Sequence, residues 1–129
     1  METLGLSHLG LAVSNLQAST EFFTQALGWK IAREVPEYPA RFVTNGHVFF
    51  TLWQTDANAN AFNRRSNVGL HHVAIKVPTE EALEAVFKKV SAHPGVNVEF
   101  SPEFLRGGPA RHCMIFEPSG IRVEFVWSP

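Results

Sequence analysis

The stretch Gly5-Leu6-Ser7-His8-Leu9-Gly10-Leu11-Ala12-Val13 returns as Gly69-Leu70-His71-His72-Val73-Ala74-Ile75-Lys76-Val77, near the midpoint of the chain. Gly, Leu, His and Val coincide at matching places, and a helix-like segment follows each copy. A repeat of this kind restricts the fold to one unit used twice. His8 and His72 take equivalent positions in it, and two histidines related by pseudo-symmetry make a candidate metal site.

The 129 residues are 45% apolar, enough for the core of a single domain spanning 1–129. The repeat divides that domain into a first module (1–54), a linker (55–68) and a second module (69–129). Formal net charge is -1, and Lys and Arg are scattered, so no electrostatic footprint for nucleic acid or an anionic membrane is visible. A small-molecule substrate is the expected partner. The single cysteine, Cys113, excludes an internal disulfide and suits a reducing compartment as a small buried hydrophobe. With no basic flank before an apolar run at the start, and no apolar stretch near the ~20 residues of a membrane span, a soluble cytoplasmic protein is expected.

Alternation of Leu9, Leu11 and Val13 against His8, Gly10 and Ala12 predicts a strand over 6–13 with a bulky core face and an open face carrying His8. Ser14 or Asn15 caps a helix with the stripe Leu16, Phe22, Phe23, Ala26 and Leu27, and Gly28 ends it. A strand over 29–34 follows. Asn45-Gly46 then turns a hairpin between 40–43 and 47–53. If Val48, Phe50 and Leu52 pack on the helix, Phe49, Thr51 and Trp53 share the side of His8. The linker, rich in Asn and Ala, is read as a solvated loop.

In the second module a strand over 70–77 repeats both faces, with Val73, Ile75 and Val77 inward and His72, Ala74 and Lys76 outward. His71 falls on the other parity, as Ser7 does, so adjacent histidines are expected to point to opposite faces and not to act as two ligands. Pro78-Thr79 starts a helix with the stripe Leu83, Val86, Phe87 and Val90, which Pro94-Gly95 ends. A strand over 96–100, a turn at Arg106-Gly107-Gly108-Pro109, and a hairpin of 111–116 with 121–127 complete the module. Glu124 has open-face parity on the last strand, where an unpaired carboxylate is costly and calls for a partner.

Each module thus reads as βαβββ, and the chain resembles the vicinal oxygen chelate superfamily: glyoxalase I, bleomycin-resistance proteins, extradiol dioxygenases, methylmalonyl-CoA epimerase and fosfomycin-resistance transferases. The resemblance is carried by the two Gly…His…Val stretches, by Phe22-Phe23 through Leu27-Gly28-Trp29, and by Glu117-Pro118-Ser119-Gly120-Ile121-Arg122-Val123-Glu124. It implies an α+β fold of two tandem βαβββ modules forming a curved mixed-sheet cup. It also implies one divalent ion per chain (Fe, Mn, Ni or Zn), with ligands on the first and last strands of each module. Carried over, these are His8, His72 and Glu124, with Glu124 also the candidate catalytic base. The fourth position falls on Thr51, where glyoxalase I has Glu and the epimerase Gln; threonine is a poor ligand for such ions. Members often dimerise with cups shared between subunits, so a homodimer is expected.

Two imidazoles and one carboxylate match the facial-triad composition of non-haem Fe(II) sites. Extradiol ring cleavage suits this set, with Phe49, Trp53 and Phe116 offering an apolar slot and His47 and His112 as acid-base groups around it. Phe49, Thr51, Trp53 and His112 are therefore the expected substrate contacts, and Arg106 and Arg111 are candidates for an anionic substituent. Lyase or isomerase chemistry of the glyoxalase type is weakened by Thr51, and the fosfomycin reaction by Gly10. The alternative of another class is a metal-free binder of the bleomycin-resistance type, which would use the same aromatics.

Overall fold

The computed structural model describes residues 1–129 and places each repeat copy at the head of a four-stranded mixed sheet. Two compact units result, Met1–Ala59 and Asn60–Pro129. In the first, β1 (Leu9–Val13) is followed by α1 (Leu16–Glu21), a π-helical turn (Phe22–Ala26), β2 (Lys30–Val35), β3 (Ala40–Thr44) and β4 (Phe49–Gln54). The strand order is β1-β4-β3-β2, with β1 parallel to β4 and the other pairs antiparallel. The second unit repeats it with β5 (Val73–Lys76), α2 (Glu80–Ser91), β6 (Asn97–Phe104), β7 (Arg111–Phe116) and β8 (Arg122–Trp127), in the order β5-β8-β7-β6. Both modules are therefore βαβββ, as the alternation and turn signals predict.

Capping follows the sequence closely. Asn15 accepts from the Ala18 amide and Thr79 from the Ala82 amide, each at 3.0 Å, satisfying donors that a helix start leaves open. Gly28 closes the first helical segment at φ 72, in the left-handed region that favours glycine. The first helix departs from expectation in its second half. Trp29 N–H closes on the Phe23 carbonyl across Gly28, and Leu27 N–H reaches back five residues to the Phe22 carbonyl, which is the wide turn of a π-bulge. Its residues Phe22, Phe23 and Ala26 are all buried, so the widened turn brings two consecutive phenylalanines onto the core.

The core of each unit lies between its helix and the inner face of its own sheet. In the first unit Phe23 touches Phe22, Trp29 and Phe50 with ring centroids 5.2, 5.1 and 5.7 Å apart, and Leu11, Val13 and Leu52 complete the layer. Val48, expected in that layer, is 39% exposed because it precedes the regular strand. In the second unit Leu83 and Val90 of α2 pack over Cys113, Ile115, Val123 and Phe125, all essentially inaccessible. Strands β1 and β5 are shorter than expected: regular pairing starts at Leu9 and Val73, and the residues before them are outside the ladder. His8 and His72 thus stand just outside the pleated part of each sheet.

No helix is long and apolar enough to cross a membrane. Cys113 is fully buried, and desolvation pushes its thiol up to about 12. At pH 8 the native protein is expected to resist iodoacetamide while the denatured chain is alkylated fully; mass spectrometry showing fast native modification would contradict this burial.

Candidate functional site

Strand register decides which side chains share a face. In the first sheet Gly10 lies opposite Thr51 and Ala12 opposite Trp53. In the second Ala74 lies opposite Glu124. The repeat and the register agree, so Thr51 and Glu124 occupy equivalent places, each two residues beyond the level of a histidine. His8 and His72 lie two residues ahead of Gly10 and Ala74, before regular pairing begins, and are exposed.

The open face of the first sheet is aromatic. Phe42 lies opposite Thr51, its ring 6.0 Å from Phe49 and 5.6 Å from Trp53, and Tyr38 stacks edge-on at 4.5 Å against Trp53. Trp53 donates its indole N–H to Thr51 Oγ1 at 2.8 Å. Gly10 permits that pairing: a Cβ there would meet Thr51 Oγ1 at 3.3 Å and Trp53 Nε1 at 3.7 Å. Arg33 lies over the Phe42 ring at 5.9 Å. A cavity of about 180 Å³ in this unit is lined by Ser7, His8, His47 and Phe49 among others. Phe42 and Tyr38 were not legible as site residues from local parity; counting back across the Asn45-Gly46 turn places Phe42 opposite Thr51.

The open face of the second sheet sets ionisable groups among apolar neighbours. Met114 lies opposite Glu124, and His112 opposite Val126 on the same face. His112 Nδ1 is 2.9 Å from Glu124 Oε2, and its Nε2 is 3.0 Å from Glu103 Oε1. His112 and Glu124 are buried, at 6% and 9% exposure, whereas the Glu103 carboxylate reaches solvent. Ionised carboxylates only accept, so each contact needs a proton on one of its two facing atoms. This partner answers the cost of placing a carboxylate on a half-buried strand. Phe116 shares the face, opposite Arg122.

Beside His72, Arg122 donates from Nε and Nη2 to Glu99 Oε1 at 2.8 and 2.6 Å, and Arg64 reaches Glu99 Oε2 at 3.4 Å. Arg122 Nη1 also lies 3.5 Å from His71 Nδ1, which is 2.8 Å from His72 Nδ1. Loss of hydration, then the Arg122 guanidinium, lowers the pKa of His71. The expected opposition of His71 and His72 is corrected here: both precede the regular strand, so no pleat separates their rings, whose centroids are 5.0 Å apart. Arg111 is also corrected. It has helix-side parity and pairs with Glu80 and Glu84 at 3.7 and 3.2 Å, so it is spent on α2 rather than on an anion. Arg106 sits in the turn at φ 51, exposed.

His8, His72 and Glu124 share one feature. A neighbour engages His8 Nδ1 (Ser7 Oγ, 3.2 Å), His72 Nδ1 and Glu124 Oε2, while the remaining nitrogen or oxygen of each takes no hydrogen bond from the chain. Imidazole nitrogens and a carboxylate oxygen kept open in this way are donor types that divalent ions accept. Within neither unit do three His, Cys, Asp or Glu side chains converge on one point.

A model of the Glyoxalase/Bleomycin resistance protein/Dioxygenase superfamily matches residues 5–125. The catechol-2,3-dioxygenase of Bacillus subtilis (strain 168) is 30% identical over 99 residues, 73% of this chain but 33% of that protein, so the chain spans about a third of this curated relative. Among solved structures, a glyoxylase/bleomycin resistance protein/dioxygenase domain from Frankia sp. EAN1pec superposes with TM-score 0.83 at 20% identity, covering 99% of this chain and 100% of that one. Lactoylglutathione lyase from Agrobacterium tumefaciens superposes with TM-score 0.74 at 17% identity, over 98% and 96%. These likenesses establish a shared fold.

Proposed function

This chain belongs to the Glyoxalase/Bleomycin resistance protein/Dioxygenase superfamily, and from that premise we propose that it is a divalent-metal-dependent enzyme acting on a small substrate with adjacent oxygens, of the ring-cleaving dioxygenase type. His8, His72 and Glu124 are the proposed ligands. The observation that carries the reading is the equivalence of His8/Thr51 and His72/Glu124 in register, with the open donor atom retained on each of the two histidines and on Glu124. A bound ion would supply Lewis acidity towards the substrate's oxygens.

The chain's own residues have separable tasks. Phe42, Phe49 and Trp53 hold an apolar ring by edge and face contacts. Thr51 fixes the indole of Trp53. His112 holds Glu124 by one oxygen, which leaves the other to face the ligand side, and Glu103 ties the second nitrogen of His112 to the solvent-facing edge. Glu124 is also the group placed to accept a proton. The relative from Bacillus subtilis supports the dioxygenase type over the lyase type, since Thr51 removes the second carboxylate that isomerisation would use. We place the protein in the cytoplasm as a homodimer.

A metal-free small-molecule binder is the second reading, favoured by the aromatic face of the first sheet. One experiment separates them. Protein reloaded with Fe, Mn, Ni, Co or Zn is expected to retain about one ion per chain on gel filtration, at a dimer mass, and the iron form to consume oxygen with catechols. Absence of retention for every ion would sink the enzyme reading and leave the binder, to be read by quenching of Trp53 fluorescence with aromatic ligands.

A further inference from the structure

An irregularity in β2 brings a cation onto the aromatic face of the first sheet. Lys30 and Ile31 lie opposite Thr44 and Val43, so an unbroken strand would set Ala32 opposite Phe42 and send Arg33 to the helix side opposite Arg41. The register shifts between Ile31 and Arg33 instead, and Arg33 lies opposite Phe42. A bulge of this kind re-aims one side chain, and here the guanidinium comes to rest 5.9 Å from the centre of the Phe42 ring. Its neighbour Glu34 keeps the helix-side parity and pairs with Arg41 at 3.4 Å, and Arg41 also donates to Gln17 at 2.7 Å. Arg33 enters no salt bridge, and its guanidinium N–H groups find no acceptor in the chain. Lys30, opposite Thr44, is the second cation on this face, and none of the positions that β1, β3 and β4 present there is acidic.

We propose that the open face of the first sheet binds a small aromatic carboxylate, with Arg33 as the residue that selects for its charge. Phe49, Phe42 and Trp53 form a continuous aromatic floor, Phe42 standing 6.0 and 5.6 Å from the other two rings. A ring laid on that floor gains contact area but no discrimination by charge. The planar fork of a guanidinium supplies it, because two parallel N–H groups meet the two oxygens of a carboxylate. Resting on Phe42 pre-orients the fork, so little freedom is lost when the anion arrives. Charge points the same way: a face with two cations and no carboxylate attracts an anion, and one fork matches a single negative charge. A cavity of about 180 Å³ opens at the Phe49 end, so the ligand lies with its anionic end over Phe42 and its far end towards Phe49. Arg33 thereby takes the role expected of Arg111, which is spent on α2. The inference rests on reading this face as an aromatic slot, which the enzyme and the binder share, and it needs no bound ion.

The test is an NMR titration of the 15N-labelled, metal-free full chain at low ionic strength, with 3-phenylpropionate and with its uncharged amide as probes. The signals followed are the Trp53 indole N–H and the Arg33 guanidinium. Wild type is expected to bind the carboxylate roughly 10-fold more tightly than the amide, the scale of a charge-assisted hydrogen bond, with both signals moving. Arg33→Leu is expected to bind the two probes alike. Arg33→Lys is expected to keep part of the preference, since an ammonium carries the charge without the fork, and Lys30→Met to keep nearly all of it. Arg33 is exposed on an edge strand, so each variant is expected to melt as wild type does. Equal binding of both probes by wild type, or a preference that survives Arg33→Leu, would overturn the proposal and leave the aromatic slot standing. Wild type that moves the Trp53 signal with neither probe would remove the slot itself, and the proposal with it.

Discussion

Glu124→Ala is expected to leave the protein folded and to abolish retention of the proposed divalent ion. Glu124 is the one carboxylate in the proposed ligand set, and two neutral imidazoles are a far poorer site for iron or manganese than two imidazoles with an anion. Loss of an outer partner alone weakens metal binding by about 10–100-fold, so loss of the ligand itself should exceed that, with turnover falling below ~1% of wild type. Folding should survive because the substitution deletes a buried carboxylate together with its desolvation cost, while His112 keeps Glu103 at 3.0 Å. Glu124→Gln refines the test: it preserves shape and a hydrogen bond to His112 but not charge. Elemental analysis and a thermal melt on the same samples give the answer. Metal retained by Glu124→Ala at wild-type stoichiometry would move the site elsewhere, and an unfolded variant would make Glu124 a structural residue.

His112→Leu should have a smaller effect of the same sign, because it frees Glu124 Oε2 without removing the ligand. The contact between these two residues shows what the sequence could and could not reveal. Alternation put Gly10 with Thr51 on one face of the first sheet and Ala74 with Glu124 on one face of the second, and the register pairs both; His8 and His72, expected on those faces, stand ahead of the paired residues. Period-2 reasoning works there because β1, β4, β5 and β8 pair without irregularity. It fails on β6, where the register shifts twice, between Val98 and Phe100 and again between Phe100 and Glu103. Phe100 and Glu103 are an odd number of residues apart, and an unbroken strand would put them on opposite faces. The bulge aims both at the open face, Phe100 beside Met114 and Glu103 beside His112. The Arg122–Glu99 pair was hidden for the same reason. Adjacent residues ahead of a strand escaped differently: His71 and His72 lie outside the pleat that would part them.

Phe23→Ala should be the most damaging single truncation outside the site, and it tests how far the two modules are alike. The ring is inaccessible and meets Phe22, Trp29 and Phe50. Removing it costs about 3–5 kcal/mol, and at roughly 4–8 °C per kcal/mol for a unit of this size the midpoint should fall by at least ~12 °C. Phe50 pairs with Val43 and Leu9, so the loosening passes directly into the strand that carries Phe49, Thr51 and Trp53, and aromatic ligands should weaken with it. The repeat aligns Phe23 with Phe87, as it aligns the caps Asn15 and Thr79. Equal modules would give equal costs. They are unequal here: Phe87 is half-buried on a regular α-helix, whereas Phe23 is sealed into the core by the π turn, which lets Phe22 enter beside it. Phe87→Ala should therefore cost about 1–2 kcal/mol, nearer the ordinary value for a point substitution. Matching midpoints for the two variants would mean that the π turn does not set the first core apart.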